Sequence, residues 1–407
     1  MAEIHGTWDP RFDRVAELLQ TNFASGGEVG ASLYVSIDGE AVIDLWGGWK
    51  DEDHSSPWEE DTIVNVFSGS KTVTSLAVLI LADRGMIDLD APVADYWPEF
   101  AQNGKQKATV RHLISHSVGL PAWEPPFSID EAMDIGASTA RLAAQKPWWE
   151  PGTRASYHAS SFGHLNGELV RRVTGRSLGQ FIAEEIAGPL QADFYLGLTD
   201  AQFPIVATVY PATDEGGPKV PKAATAPADP DDGLAVEREL SQRTRLGSFS
   251  GQKRDALALF NSPQWRRTQF GGSTGHANAR GLGRIMTVIA NGGVSRGRRL
   301  LSPVTIAEIF REQFAGIDSY YMKPIHWGTG YALAPVATQE KGPLPFLRPG
   351  KRTAYWYGTG GALSIADAER GMAVSYVMNR CQSGRASLNG AYYTAIYDAL
   401  ERPRAAP

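Results

Sequence analysis

Residues 11–23 carry apolar side chains at Phe12, Val15, Leu18 and Leu19, a helical spacing that predicts a first helix. The period then changes. Residues 30–37 and 40–46 read as two strands joined at Asp38-Gly39, a pair that tolerates the positive φ angles of a tight hairpin. Residues 62–67 look extended and lead into an apolar helix over 68–84, stopped by Gly85. From 109 to 200 the pattern is mostly helical, broken at Gly119-Leu120-Pro121 and again at 148–152. Residues 211–234 are crowded with Pro, Gly, Ala and Asp and read as a long surface loop or lid, because helical patterns resume beyond them. Towards the C-terminus, residues 328–335, 361–366 and 372–378 alternate like strands, and 388–400 reads as a closing helix.

Strands at both ends of the chain with helices between them predict an α+β fold. Residues 1–100 and 324–407 together would form one domain, a mostly antiparallel sheet flanked by helices. Residues 101–323 would form a mainly helical domain beside it, and a small-molecule site is expected in the cleft between the two.

Composition narrows the partners. The 407 residues are 43 % apolar and 21 % charged, enough for a large core and unlike a disordered chain. Lys and Arg total 39 against 45 Asp and Glu, a net charge of −6, so there is no basic field for nucleic acid. One cysteine, Cys381, excludes an internal disulfide framework and a cysteine-rich metal site. The most apolar run, residues 76–82, is far short of the ~20 residues a membrane span needs. The first residues lack a basic region followed by an apolar one. A cytoplasmic protein with no membrane or nucleic-acid partner is expected; the oligomeric state is left open.

The chemistry starts in the helix at 68–84. Eight of the ten residues 73–82 are apolar, yet Ser68, Lys71, Thr72 and Ser75 line one face at i, i+3, i+4 and i+7. A serine and a lysine one turn apart have Cβ atoms ~5–6 Å apart, within reach of each other's polar ends. Desolvation lowers a lysine's pKa, and the neutral amine can act as a base. Ser-x-x-Lys by itself is a frequent pattern, equally well explained by a capping serine and a snorkelling lysine. Its neighbours change the balance.

The stretch VFSGSKT at 66–72 resembles the nucleophile motif of the serine β-lactamase and penicillin-binding-protein superfamily. HLISHSVGLP at 112–121 and WEPGTRASYHA at 149–159 resemble later segments of its class C-like branch, the second bearing that branch's Tyr-x-Asn motif. WYGTGGALSIAD at 356–367 and YVMNR at 376–380 resemble the third motif and the strands around it. The likeness runs from about residue 30 to 380, with the motifs in family order. Two positions depart from the β-lactamase pattern. Tyr157-His158-Ala159 lacks the Asn amide, and Trp356-Tyr357-Gly358 lacks the cation of Lys-Thr-Gly. A Trp-x-Gly third motif is what family VIII carboxylesterases show, so the resemblance is to these class C β-lactamase-like esterases.

That resemblance implies a serine β-lactamase-like fold and hydrolysis of short-to-medium acyl esters through an acyl-serine intermediate, with no metal or cofactor and a small ester as partner. Ser68 would be the nucleophile. Lys71 and Tyr157 would together be the base, their division of labour left open because coupled groups titrate as a unit. The oxyanion would lie between the N–H groups of Ser68 and Thr359, beside Gly358, with Trp356 lining the acyl pocket. A β-lactamase, an acyltransferase or peptidase of the same superfamily, and a ligand-binding module without turnover are the alternatives.

Four other patterns read as structural. GRSLG at 175–179 matches the G-x-S-x-G elbow, but a helical pattern precedes it, making Gly175 a helix stop and Ser177 a cap. His112 and His116 have zinc-ligand spacing without the Glu of H-E-x-x-H. Asp88 and Asp90 suit a turn before Pro92. Gly358-Thr359-Gly360-Gly361 lacks the Lys-Ser/Thr of a phosphate loop.

Overall fold

The computed structural model describes residues 3–212, 233–248, 256–337, 342–382 and 388–401. Most of the proline- and glycine-rich stretch at 211–234 lies outside them. Nine strands form one antiparallel sheet, in the spatial order Ile4–Trp8, Glu40–Gly48, Gly30–Ile37, Met372–Met378, Leu363–Asp367, Thr353–Tyr357, Ala332–Leu333, Lys323–Trp327 and Phe314–Asp318. The two ends of the chain therefore meet at its centre, where Met372–Met378 pairs with Gly30–Ile37. The sheet reaches back to Phe314, earlier in the chain than the sequence pattern indicated.

The expected hairpin is present. Asp38 (φ 51°) and Gly39 (φ 86°) both take positive φ, the geometry that matches the twist of flanking strands. The central strands are buried almost throughout, so both faces of the sheet are covered. Alternation sends Ser32 and Ser36 to one face, where they bond the helix Ala279–Ala290: Ala279 N–H donates to Ser32 Oγ (3.0 Å), and Ser36 Oγ meets Thr287 Oγ1 (2.7 Å). Tyr376 points to the other face and packs on Tyr392 of the closing helix Leu388–Glu401. That helix lies beside the first one, Asp13–Ala24, through an Asn22–Tyr392 hydrogen bond.

The apolar helix at 68–84 differs in its start. Only Val64–Asn65 is strand, and Phe67 then turns with φ 46° into a 3₁₀ turn, Phe67–Gly69, before the α-helix Ser70–Asp83. Ser70 Oγ caps this turn by donating to the Phe67 carbonyl (2.5 Å). Every residue from Ser70 to Leu81 is buried, as a helix enclosed on all sides requires. Its buried hydroxyls are satisfied by backbone: on the polar stripe, Ser75 Oγ donates to the Gly330 carbonyl and Thr72 Oγ1 to that of Gly69. Helix Phe162–Thr174 packs against it from the helical part of the chain.

Gly175 ends that helix with φ 71°, and Ser177 caps Leu178–Ile182 by accepting from the Gln180 N–H, so neither belongs to a nucleophile elbow. Asp88 accepts from the Asp90 N–H within a turn, and Asp90 holds Arg111 through both carboxylate oxygens (2.7 and 2.8 Å). Among the described residues no helix is long and apolar enough to cross a membrane.

Candidate active site

The 3₁₀ turn leaves Ser68 partly exposed while its neighbours Phe67 and Gly69 are buried. Phe67, held with positive φ, is anchored edge-on against Phe260 (ring centroids 5.0 Å apart). One turn on, Lys71 is 2 % exposed. Its Nζ donates to the carbonyls of Gly272 (2.8 Å) and Ala159 (2.9 Å) and lies 3.5 Å from Ser68 Oγ. Burial drives the Lys71 pKa well below the ordinary amine range. Gly163 makes this possible: a Cβ there would stand 2.2 Å from the Gly272 amide nitrogen, so only glycine lets that backbone approach.

Tyr157 covers the lysine, with Nζ 4.8 Å from its ring centroid. Its hydroxyl lies beside the Ser68 side chain and accepts the indole N–H of Trp356 at 3.2 Å. Burial raises the Tyr157 pKa above its ordinary value, so the phenol keeps its proton. The departure at Ala159 costs the lysine no partner, because the backbone carbonyl of Ala159 supplies the acceptor.

Trp356 sits on Thr353–Tyr357 and is only 3 % exposed. Expected as an acyl-pocket wall, it turns its indole N–H onto the Tyr157 hydroxyl. Gly358 follows. A Cβ on it would lie 2.2 Å from the Val66 carbonyl, so this strand end presses directly on the turn that carries Ser68. Thr359 opens the next turn, Thr359–Gly361, and is exposed. That turn has no helix behind it, unlike a phosphate loop.

Several neighbours had no signal in the sequence. Asp318 accepts the Tyr157 backbone N–H at 2.7 Å across 161 residues of chain. The Trp327 ring stacks on that of Tyr157 (6.2 Å, 6°). His116, after the short helix Val110–Ile114, has φ 62° and is buried against Tyr157, Phe162 and Trp327 rather than presented as a metal ligand. It accepts the His158 N–H at Nδ1 (3.0 Å), and burial pushes the pKa values of both histidines down, that of His158 to about 3. His112 closes a capping box with Thr109. Among the described residues no three His, Cys, Asp or Glu side chains cluster to hold a metal.

A nine-stranded sheet covered by helices, with a serine, a buried lysine and a tyrosine converging at the end of the strand Thr353–Tyr357, defines the serine β-lactamase-like fold. Residues 15–398 match the model of the Beta-lactamase family, and the chain belongs to that family. It is 32 % identical over 406 residues to the esterase/β-lactamase LipL of Mycobacterium tuberculosis, covering 99 % of this chain and 89 % of that one. A solved family VIII carboxylesterase superposes with a TM-score of 0.83 at 34 % identity, over 98 % of this chain and 100 % of its own. A penicillin-binding-protein homologue from Caulobacter crescentus gives 0.79 at 33 %, over 98 % and 100 %.

Proposed function

We propose that the protein is a serine carboxylesterase that hydrolyses small acyl esters through an acyl-Ser68 intermediate. The observation that carries this reading is the state of Lys71. Two N–H groups of Nζ are consumed by the Ala159 and Gly272 carbonyls, and no carboxylate pairs with it among the described residues. A neutral amine so held has its lone pair left for Ser68. The Trp356 indole is a donor only, so Tyr157 accepts there and keeps its own proton for Ser68.

Ser68 Oγ attacks the ester carbonyl, forming the C–O bond as its proton passes to the Lys71–Tyr157 pair. The tetrahedral oxyanion is received by the backbone N–H groups of Ser68 and Thr359. The pair then protonates the departing alkoxide as the old ester bond breaks. Water repeats the sequence on the acyl-serine, releasing the acid and restoring Ser68. The similarity to the esterase/β-lactamase LipL and to a family VIII carboxylesterase supports ester hydrolysis. A β-lactam has less to hold it. Ala159 offers no side-chain amide, and Trp356 brings no charge for the antibiotic carboxylate.

Labelling with a fluorophosphonate tests the reading. The adduct maps to Ser68, and Ser68→Ala abolishes both labelling and esterase activity with the fold intact. A label on Ser177, or an active Ser68→Ala protein, overturns it.

A further inference from the structure

We propose that Asp318 is a positioning residue for the reaction, a buried carboxylate that holds Tyr157 and three of the rings around it in the reactive arrangement. This rests on the role given to Tyr157 above. Asp318 ends the strand Phe314–Asp318 and is fully buried. Its Oδ2 accepts the Tyr157 backbone N–H (2.7 Å) and the Trp327 indole N–H (3.2 Å). Its Oδ1 accepts the backbone N–H groups of Tyr320 (2.9 Å) and Tyr321 (3.1 Å).

All four donors thus come from Tyr157 or from residues that pack on it. The rings of Tyr320 and Tyr321 lie 5.3 and 5.4 Å from the Tyr157 ring, and Trp327 stacks parallel to it. Trp327 also rests on Trp356 (4.9 Å), the residue that donates to the Tyr157 hydroxyl. Among the described residues no cation pairs with Asp318. Burying a carboxylate without one is costly, and four hydrogen bonds that tie Tyr157 to the residues packed on it give that cost a purpose. The negative charge also disfavours ionisation of Tyr157, keeping the phenol protonated between turnovers.

Four convergent donors require the ionised form, which accepts at both oxygens. A protonated carboxyl turns one oxygen into a donor facing donors. Burial raises the Asp318 pKa from an ordinary 3.8 to about 6, against the pull of its hydrogen bonds. The clamp is therefore complete above pH 6 and loosens as pH falls through it. The titratable groups around it are the phenols of Tyr157 and Tyr357, which feel its charge, Tyr320 and Tyr321, which it holds by their backbone N–H groups, the neutral His116 packed on Tyr157, and Lys71 beneath the Tyr157 ring. Lys71 contributes its own acid limb, so the variants must separate the two.

Three variants do this with one alkyl ester across pH 5–9. Asp318→Asn lowers kcat by roughly tenfold or more, with KM within about twofold, and its rate profile loses the component near pH 6. Trp327→Phe keeps a ring but removes a donor, so the same component moves to higher pH. A residue that merely supported the fold would move neither. Should Asp318→Asn fail to fold, Trp327→Phe carries the test alone. Tyr157→Phe is the control. If it is slow while the acid limb is unchanged in Trp327→Phe, the role of Asp318 is refuted. If Tyr157→Phe is as fast as the parent, the catalytic reading itself has failed.

Discussion

Replacing Trp356 by Phe separates two roles for this side chain, donor to Tyr157 or wall of an acyl pocket. The bond at stake runs from indole Nε1 to the phenol oxygen at 3.2 Å, between residues 3 % and 2 % exposed. A neutral hydrogen bond of this kind contributes about 0.5–1.5 kcal/mol, and one to a charged oxygen about 1.5–3 kcal/mol. Tyr157 gains negative character as it hands its proton to the leaving alkoxide, so the bond strengthens in the transition state. The difference, about 1–2 kcal/mol, corresponds to a roughly 5- to 30-fold fall in kcat/KM. A pH-stat assay on ethyl esters of increasing acyl length reads this directly. The donor role lowers kcat/KM by the same factor at every chain length. A nitrophenyl ester, whose leaving group departs without a proton, should be spared. In a Tyr157→Phe background the Trp356→Phe change should cost little more, because its partner oxygen is already gone. A change in chain-length preference, or an equal cost in both backgrounds, would refute the donor role and restore the pocket wall.

Glu28, buried between the first and closing helices, accepts from Tyr376 and from Tyr392 (3.3 Å) at Oε1, while Oε2 finds no partner among the described residues. Burial raises its pKa from an ordinary 4.5 to about 8, so the native state binds the extra proton and stability is lost as pH rises from 4.5 to 8. At ~1.4 kcal/mol per unit that loss approaches about 5 kcal/mol. Glu28→Gln should remove it, and urea unfolding at pH 5 and pH 9 should show the variant gaining on the parent; a pH-independent difference would contradict the assignment. Short-chain esters should exceed cephalosporins in kcat/KM by orders of magnitude, since each unpaired polar group of a bound ligand costs about 1–3 kcal/mol. Equal rates on the two substrates, assayed side by side, would end the esterase reading.

What the chain states locally came through intact. The change from helical to strand period at residues 30–46, the Asp38-Gly39 turn and the apolar helix after Ser68 are all present, because each depends on neighbours within a few residues. Ser68 and Lys71 were legible together for the same reason, one helical turn apart. Gly175 and Ser177 were legible as a helix stop and a cap. The edge strand Ile4–Trp8, mostly exposed, offered no alternation to read. The rest of the site had no local signature. Which carbonyls hold Lys71 was decided by packing across 88 and 201 residues, and which carboxylate holds Tyr157 across 161. Trp356 shows the limit most sharply. Its identity and motif position were readable, but which acceptor its one N–H would find was not. That choice belongs to the tertiary structure, because a buried donor must find an acceptor, and only the assembled sheet brought the Tyr157 oxygen within reach.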